Sequence, residues 1–312
     1  MATLGEYLQT WKIKLSTTKT VWAVFHLNNK EAKRQLKVNF NNKTLPFCSE
    51  LKYLGVTLDR SLTYRRHLES LRKKLTSRVA LLRRLAGSGW GAGATTLRTA
   101  TLGLVHSTAE YCAPVWYRST HTRLIDPTNN DALRIVTECL RPSPADNFPI
   151  LAGIQPAELR RRGATLSLGR SAMEPGHLLH SALTRPSGAA AWRLKSSHPF
   201  VPAAQQLISF SDNNNIRAAQ WAVNPTRLRT LIADTATHTP GMTPPRRAWV
   251  RLNRLRTGVG RFRSCLYKWG MASSAACDCG AKQTVDHVVL HCPIDRPPHG
   301  LRGLTVLVNE TT

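Results

Sequence analysis

Three cysteines and a histidine crowd into one short stretch near the end of this 312-residue chain: Cys277-Asp278-Cys279-Gly280, then His287, then Cys292. The pattern is C-x-C-x7-H-x4-C. Two thiolates on a tight turn, with an imidazole and a thiolate on a following short helix, make the tetrahedral N/S donor set that structural Zn²⁺ prefers. The second half of the spacing is the usual one, and the first half is a residue shorter than the commoner C-x2-C. His291, beside Cys292, is a second-choice imidazole. The expectation is therefore a structural zinc ion on Cys277, Cys279, His287 and Cys292, against the plainer alternative of thiols that carry no metal. The other cysteines, Cys48, Cys112, Cys139 and Cys265, lie inside apolar patterns and are expected as buried, reduced thiols.

No other constellation points to catalysis, and no residue is expected to be catalytic. Gly89-Trp90-Gly91-Ala92-Gly93 lacks a following lysine and an upstream strand, so it is expected as a turn between helices and not a phosphate loop. Isolated histidines such as His67, His106, His177 and His180 are expected as satisfied core or surface groups.

Charge is the second signal. Lys and Arg number 44 against 18 Asp and Glu, a net charge of +26. Such an excess repels itself unless a polyanion neutralises it, and cations spread along patterned sequence suit RNA or DNA better than acidic lipid. Residues 65–84 hold eight Lys or Arg and one acid, Glu69. A solvated helix face usually mixes signs, so Arg72, Lys73, Lys74, Arg78, Arg83 and Arg84 are expected to meet phosphates. Arg246, Arg247, Arg251 and Arg254 form a second basic run, interleaved with Trp249, Phe262, Tyr267 and Trp269. Those aromatics are more often core than base-stacking platforms. No stretch reaches the roughly 18 apolar residues of a membrane span, and Glu6, Lys12, Lys14 and Lys19 break any secretory segment, so an intracellular site, nuclear or cytoplasmic, is expected.

The elements that must position these groups follow from periodicity. A short helical run, Leu4 to Ile13, precedes strand-like segments at 21–25, 36–40 and 53–58, with Asn28-Asn29 and Asn41-Asn42 as turns. From His67 the period becomes helical through Leu68, Leu71, Leu75, Val79, Leu82 and Leu85. Further helices are expected from Thr95, from Asp131 to Leu140, and after Pro156; residues 186–245 are expected as linker with one short helix, and Arg246 to Trp269 as one periodic basic segment.

Several phrases together resemble the jockey-like non-LTR retrotransposon reverse transcriptases. They are Leu15 to Thr20 with Phe25, Leu51-Lys52-Tyr53-Leu54-Gly55-Val56-Thr57-Leu58-Asp59, Thr108-Ala109-Glu110-Tyr111-Cys112-Ala113-Pro114-Val115-Trp116, Ala132-Leu133-Arg134-Ile135-Val136-Thr137 and Gly153-Ile154-Gln155-Pro156, with the cysteine–histidine tail. The resemblance implies an α+β fold, mainly α. A small antiparallel palm remnant with a primer-grip-like hairpin would occupy residues 1–62, a thumb-like helical bundle 63–185, a linker 186–245, and a basic segment with a zinc-knuckle-like module 246–312. It also implies that Lys19 stands near a leaving pyrophosphate, that Tyr53 and Gly55 pack at a primer 3′ end, and that the following helices track a primer–template duplex.

The resemblance further implies what is missing. A polymerase holds two Mg²⁺ ions on clustered carboxylates, and the family supplies them from an aromatic-x-Asp-Asp turn. This sequence contains no Asp-Asp pair, so Mg²⁺ belongs only to an intact relative. By that alignment the chain starts just after the turn. The expectation is a reverse-transcriptase fragment that binds nucleic acid without polymerase activity of its own. The alternatives are a non-enzymatic nucleic-acid-binding or architectural protein derived from such an element, and a decayed copy with no function.

Overall fold

The computed structural model describes residues 2–184, save 15, 17, 18, 35, 41, 42 and 88–90, and residues 245–297, with residues 200, 204, 239, 242 and 243 between them. The fold is α+β and mainly helical, with two small antiparallel sheets. The chain divides into two compact units. One comprises residues 1–71, 112–124 and 164–208; the other comprises 72–111, 125–163 and 209–312. The expected linker and its short helix lie largely outside the described residues.

In the first unit, α1 (Ala2–Thr10) is followed by α2 (Asn29–Ala32), which Asn28 caps by accepting a bond from the Lys30 N–H. Asn28 therefore starts a short helical turn. Two hairpins follow. Strands β1 (Asn39–Phe40) and β2 (Lys43–Thr44) form one, and β3 (Glu50–Tyr53) and β4 (Val56–Asp59) the other. The single strand expected at 53–58 is thus split. Leu54 and Gly55 take positive φ of 44° and 85°, the two-residue connection whose twist suits an antiparallel pair. The segment at 21–25 makes one parallel bridge, Trp22 to Phe47, backed by Trp22 Nε1 donating to Leu45 O at 3.0 Å.

Asp59 ends β4 and begins the next helix. Its carboxylate accepts from the N–H groups of Thr63 (2.9 Å) and Tyr64 (2.6 Å) just before α3 (Arg65–Leu85). Along α3 the residues Leu68, Leu71, Leu75, Val79 and Leu82 are all buried, as their spacing requires.

The second unit holds the main described core. Helix α4 (Ala94–Ala100) runs into a π-helical segment, Thr101–His106, then the single turn α5 (Ser107–Ala109); α6 (Ala113–Trp116) belongs to the first unit. Helix α7 spans Asp126–Thr137, starting five residues before the expected Asp131 because Pro127 fits a first turn. It ends where Glu138 turns left-handed at φ 51°. Next come α8 (Asn147–Leu151) and α9 (Ala157–Ala172), whose residues from Ala164 on, like α10 (His180–Thr184), belong to the first unit. Gly153, at φ 58°, closes α8, and Arg98 donates to the carbonyls of Ala152 (3.2 Å) and Gly153 (2.9 Å). The Gly153-Ile154-Gln155-Pro156 phrase is therefore a capped helix end.

The basic segment forms two helices. Helix α11 (Arg246–Thr257) stops at Gly258, left-handed at φ 70°, and α12 (Arg263–Lys268) begins after Phe262. Gly260 makes that corner possible, since a Cβ there would lie 2.6 Å from the Phe262 ring. Trp249 and Leu252 join Leu133, Val136, Phe148 and Leu151 in one buried cluster, together with Val285 and Val289 from the metal-ligand region.

Candidate metal centre and basic surfaces

The four candidate ligands meet. Cys277 follows a short antiparallel bridge, Ala276 to Lys282, and its N–H donates to Ala281 O at 2.6 Å. The intervening turn closes at Gly280, whose N–H donates to Cys277 O at 2.9 Å and whose φ of 89° demands glycine. His287 opens a π-helical segment, His287–His291, at whose start Thr284 Oγ1 accepts the His287 N–H at 3.2 Å. Cys292 leaves that segment in extended conformation, its N–H on His287 O at 2.7 Å.

Within this frame Cys277 Sγ lies 3.7 Å from Cys292 Sγ, Cys279 Sγ lies 3.0 Å from His287 Nε2, and all four ligand atoms fall within 4.8 Å of one another. Zinc–sulfur bonds of about 2.3 Å at a tetrahedral angle put sulfurs about 3.8 Å apart, so the buried pair already sits at ligand spacing. The residues present fit a metal ion. One residue between the first two cysteines is enough because the turn after Cys279 reverses at Gly280.

Backbone amides tune the sulfurs. The Cys279 N–H lowers the Cys277 thiol, but burial and the neighbouring Cys292, Cys279 and Asp295 side chains leave it raised overall. Burial raises the Cys292 thiol, but the N–H groups of Asp295 and Ile294 bring it below its ordinary value.

None of the seven cysteines is in a disulfide. Of the four outside the cluster only Cys139 is fully buried, and burial pushes its thiol up to about 11; Cys48, Cys112 and Cys265 are half-buried.

The basic residues divide into two kinds. On α3, Arg72, Lys73, Lys74, Arg83 and Arg84 are exposed, and among the described residues no carboxylate pairs with them. The acids near this helix serve its first turn, where Glu69 holds Arg65 at 2.9 Å and Glu50 holds Arg66 at 3.1 Å. Arg78 is half-buried and donates to Leu104 O at 3.0 Å.

On α11 the residues separate by face. Arg247 and Arg251 are exposed, one turn apart, and Arg254 is half-buried. Arg246 is buried, donates to Ile135 O at 3.1 Å and pairs with Glu138 at 2.9 Å; burial lowers its basicity and Glu138 raises it. Trp249 Nε1 donates to Val136 O and Asn253 Nδ2 to Thr137 O, each at 3.0 Å. Three side chains at helical spacing therefore satisfy the last three carbonyls of α7, which its own helix leaves open. Trp249 is consequently core and Tyr267 is exposed.

Lys19 is exposed, its N–H on Ser16 O at 3.1 Å, and Tyr53 stands 61 % exposed at the tip of the β3–β4 hairpin beside Gly55. No helix among the described residues is long and apolar enough to cross a membrane.

What sequence reasoning missed is a buried polar group around His106. His106 is 2 % exposed, and burial with the nearby Arg160 and Arg161 charges holds its imidazole down at about 3. Arg160 bonds Glu110 and Gln155 O, and Arg161 bonds Asp126 at 2.9 Å. The i,i+1 arginines on α9 carry no sequence mark that separates them from surface cations.

A mainly helical, strongly cationic α+β chain with a Cys3His cluster is the class these features define. It is related to the Pol proteins of non-LTR retrotransposable elements of the R1 and jockey kind. It is 27 % identical over 275 residues to the "Retrovirus-related Pol polyprotein from type-1 retrotransposable element R1 4" of Nasonia vitripennis, covering 83 % of this chain and 64 % of that protein. A corresponding R1 Pol polyprotein of Bradysia coprophila is 23 % identical over 89 % of this chain and 27 % of its own length. The "RNA-directed DNA polymerase from mobile element jockey" of Drosophila funebris is 38 % identical over 80 residues, 24 % of this chain and 9 % of that protein. The chain thus spans less than two thirds of the length of these curated relatives. No family model and no solved structure matches it.

Proposed function

We propose that this chain is a nucleic-acid-binding part of a retrotransposon RNA-directed DNA polymerase, without polymerase activity on its own. The observation that carries it is the exposed single-sign face of α3 on a chain of net charge +26 that is related to Pol proteins. Lys73 and Arg84 are eleven residues apart, about 16 Å of helix. That length suits successive phosphates of one backbone.

In this reading residues 1–62 are the end of a palm, Tyr53 and Gly55 a primer-grip-like tip, Lys19 a phosphate-proximal lysine, and residues 63–185 a thumb tracking a primer–template duplex. Arg72, Lys73, Lys74, Arg83 and Arg84 make phosphate contacts, joined by Arg247 and Arg251. Arg78, Arg246 and Arg254 act through packing as much as through charge. The cluster of Cys277, Cys279, His287 and Cys292 holds a structural Zn²⁺, which fixes the zinc-knuckle-like module of residues 246–312 and does no chemistry. The absence of any Asp-Asp pair removes the carboxylates that would hold catalytic Mg²⁺.

Fluorescence anisotropy with an RNA–DNA duplex tests the binding. Wild type should bind, and a Lys73→Gln, Lys74→Gln, Arg83→Gln, Arg84→Gln variant should bind much more weakly; equal affinity overturns the assignment of α3. A template-directed extension assay with Mg²⁺ or Mn²⁺ should give no product, and incorporation above background overturns the inactivity.

A further inference from the structure

The metal centre has a neighbour that the C-x-C-x7-H-x4-C pattern does not include. Asp295 sits three residues beyond Cys292, in the turn that follows it. Its N–H donates to Cys292 Sγ at 3.2 Å, which fixes the residue against the cluster. Its carboxylate Oδ2 then lies 3.5 Å from Cys277 Sγ and 3.9 Å from Cys292 Sγ.

Those distances match the edges of a coordination polyhedron. Bonds of about 2.3 Å to sulfur and about 2.1 Å to a carboxylate oxygen, at a tetrahedral angle, separate sulfur and oxygen by about 3.6 Å. As thiols, Cys277 and Cys292 can donate to this carboxylate; in the thiolate form that a metal ligand takes, they oppose it by like charge unless a cation lies between them. Gln283 Nε2, 3.8 Å from Cys277 Sγ, is a neutral donor and does not supply that charge. Arg263 does not supply it either, because it pairs with Asp278 at 2.7 Å.

The four pattern residues also differ in burial. Cys277 and Cys292 are buried, while Cys279 and His287 are half-exposed. The firm edge of the centre is therefore Cys277–Cys292, and Asp295 shares that edge. We propose that Asp295 is an exchangeable ligand of this centre, a carboxylate that takes the fourth position beside Cys277 and Cys292 when His287 or Cys279 releases it. The proposal rests on the metal reading above.

The test compares Zn²⁺ affinity, by competition with a chelating dye, and the visible spectrum of the Co²⁺-loaded protein. The set is wild type, Asp295→Asn, His287→Ala and the double variant of the full chain. His287→Ala should still take one ion per chain, and adding Asp295→Asn should weaken binding at least about tenfold further and shift the Co²⁺ ligand-field bands. Asp295→Glu in the His287→Ala background, which keeps the donor oxygen, should restore most of the loss. Asp295→Asn with unchanged affinity and spectrum in both backgrounds overturns the proposal while leaving the four-residue centre intact. A wild-type chain that binds neither ion overturns the metal centre and this proposal together.

Discussion

His106 shows how a single side chain can set a pH limit on this protein. Both of its ring nitrogens are buried and without a hydrogen-bond partner among the described residues, and its pKa falls to about 3, first through burial and then through Arg160 and Arg161. The unfolded chain takes up a proton near 6.5, the ordinary imidazole value, which the folded chain refuses until about 3. Stability linked to His106 is therefore complete above pH 6.5 and is lost as the pH falls toward 3. In denaturant titrations at pH 7 and pH 4.5, wild type should lose more stability on acidification than His106→Leu; equal losses contradict the assignment. The replacement itself removes no hydrogen bond, so its cost at pH 7 should be small. Sequence pattern led to the expectation of a satisfied core or surface group; the residue is buried, but its ring nitrogens have no partner among the described residues. The missing partners were illegible, because the arginines that surround His106 come from α9, some fifty residues away.

At the scale of elements, α3 and α11 were equally basic in the sequence and turn out to use their cations differently. The apolar spacing of α3 was legible because 3.6-residue periodicity leaves one face for the core and another for solvent. On α11 the periodicity was legible too, but not that Arg246, Trp249 and Asn253 would all turn inward to cap α7. A polar residue at a core position announces a partner only when the partner's open carbonyls are known. Asn253→Ala leaves Thr137 O without its donor, and should lower stability by about 1–3 kcal/mol in urea unfolding, with little change in duplex affinity. Unchanged stability would show that the bond at 3.0 Å carries no weight. Strand-like patterning alone ran residues 53–58 together as one strand, because a leucine precedes the glycine at the hairpin tip, where Asn or Asp is the commoner signal; the hairpin at Tyr53 and Gly55 was legible only through the family resemblance. The metal pattern was the most legible feature, since donor type and spacing alone bring its four residues together.

For the molecule as a whole, the candidate metal centre and the core of the second unit are one piece of structure. The residues that carry His287 also carry Val285 and Val289, which pack with Trp249, Leu252, Leu133 and Val136. Removing the ion should therefore loosen that core. Cys139 reports it, being 4 % exposed in the same cluster, and its alkylation, followed by mass spectrometry, should accelerate on chelation and slow again when Zn²⁺ is restored. A labelling rate indifferent to chelator would separate the ion from the fold. The proposed function depends on charge: the chain's net charge of +26 is proposed to be met by a polyanion. The most direct test is the dissociation constant of the full chain for an RNA–DNA duplex as salt is raised from 50 to 200 mM. If six or more phosphates are neutralised, the affinity should fall by about a thousandfold or more, linearly in log–log form. A flat profile, or no binding at low salt, would contradict it.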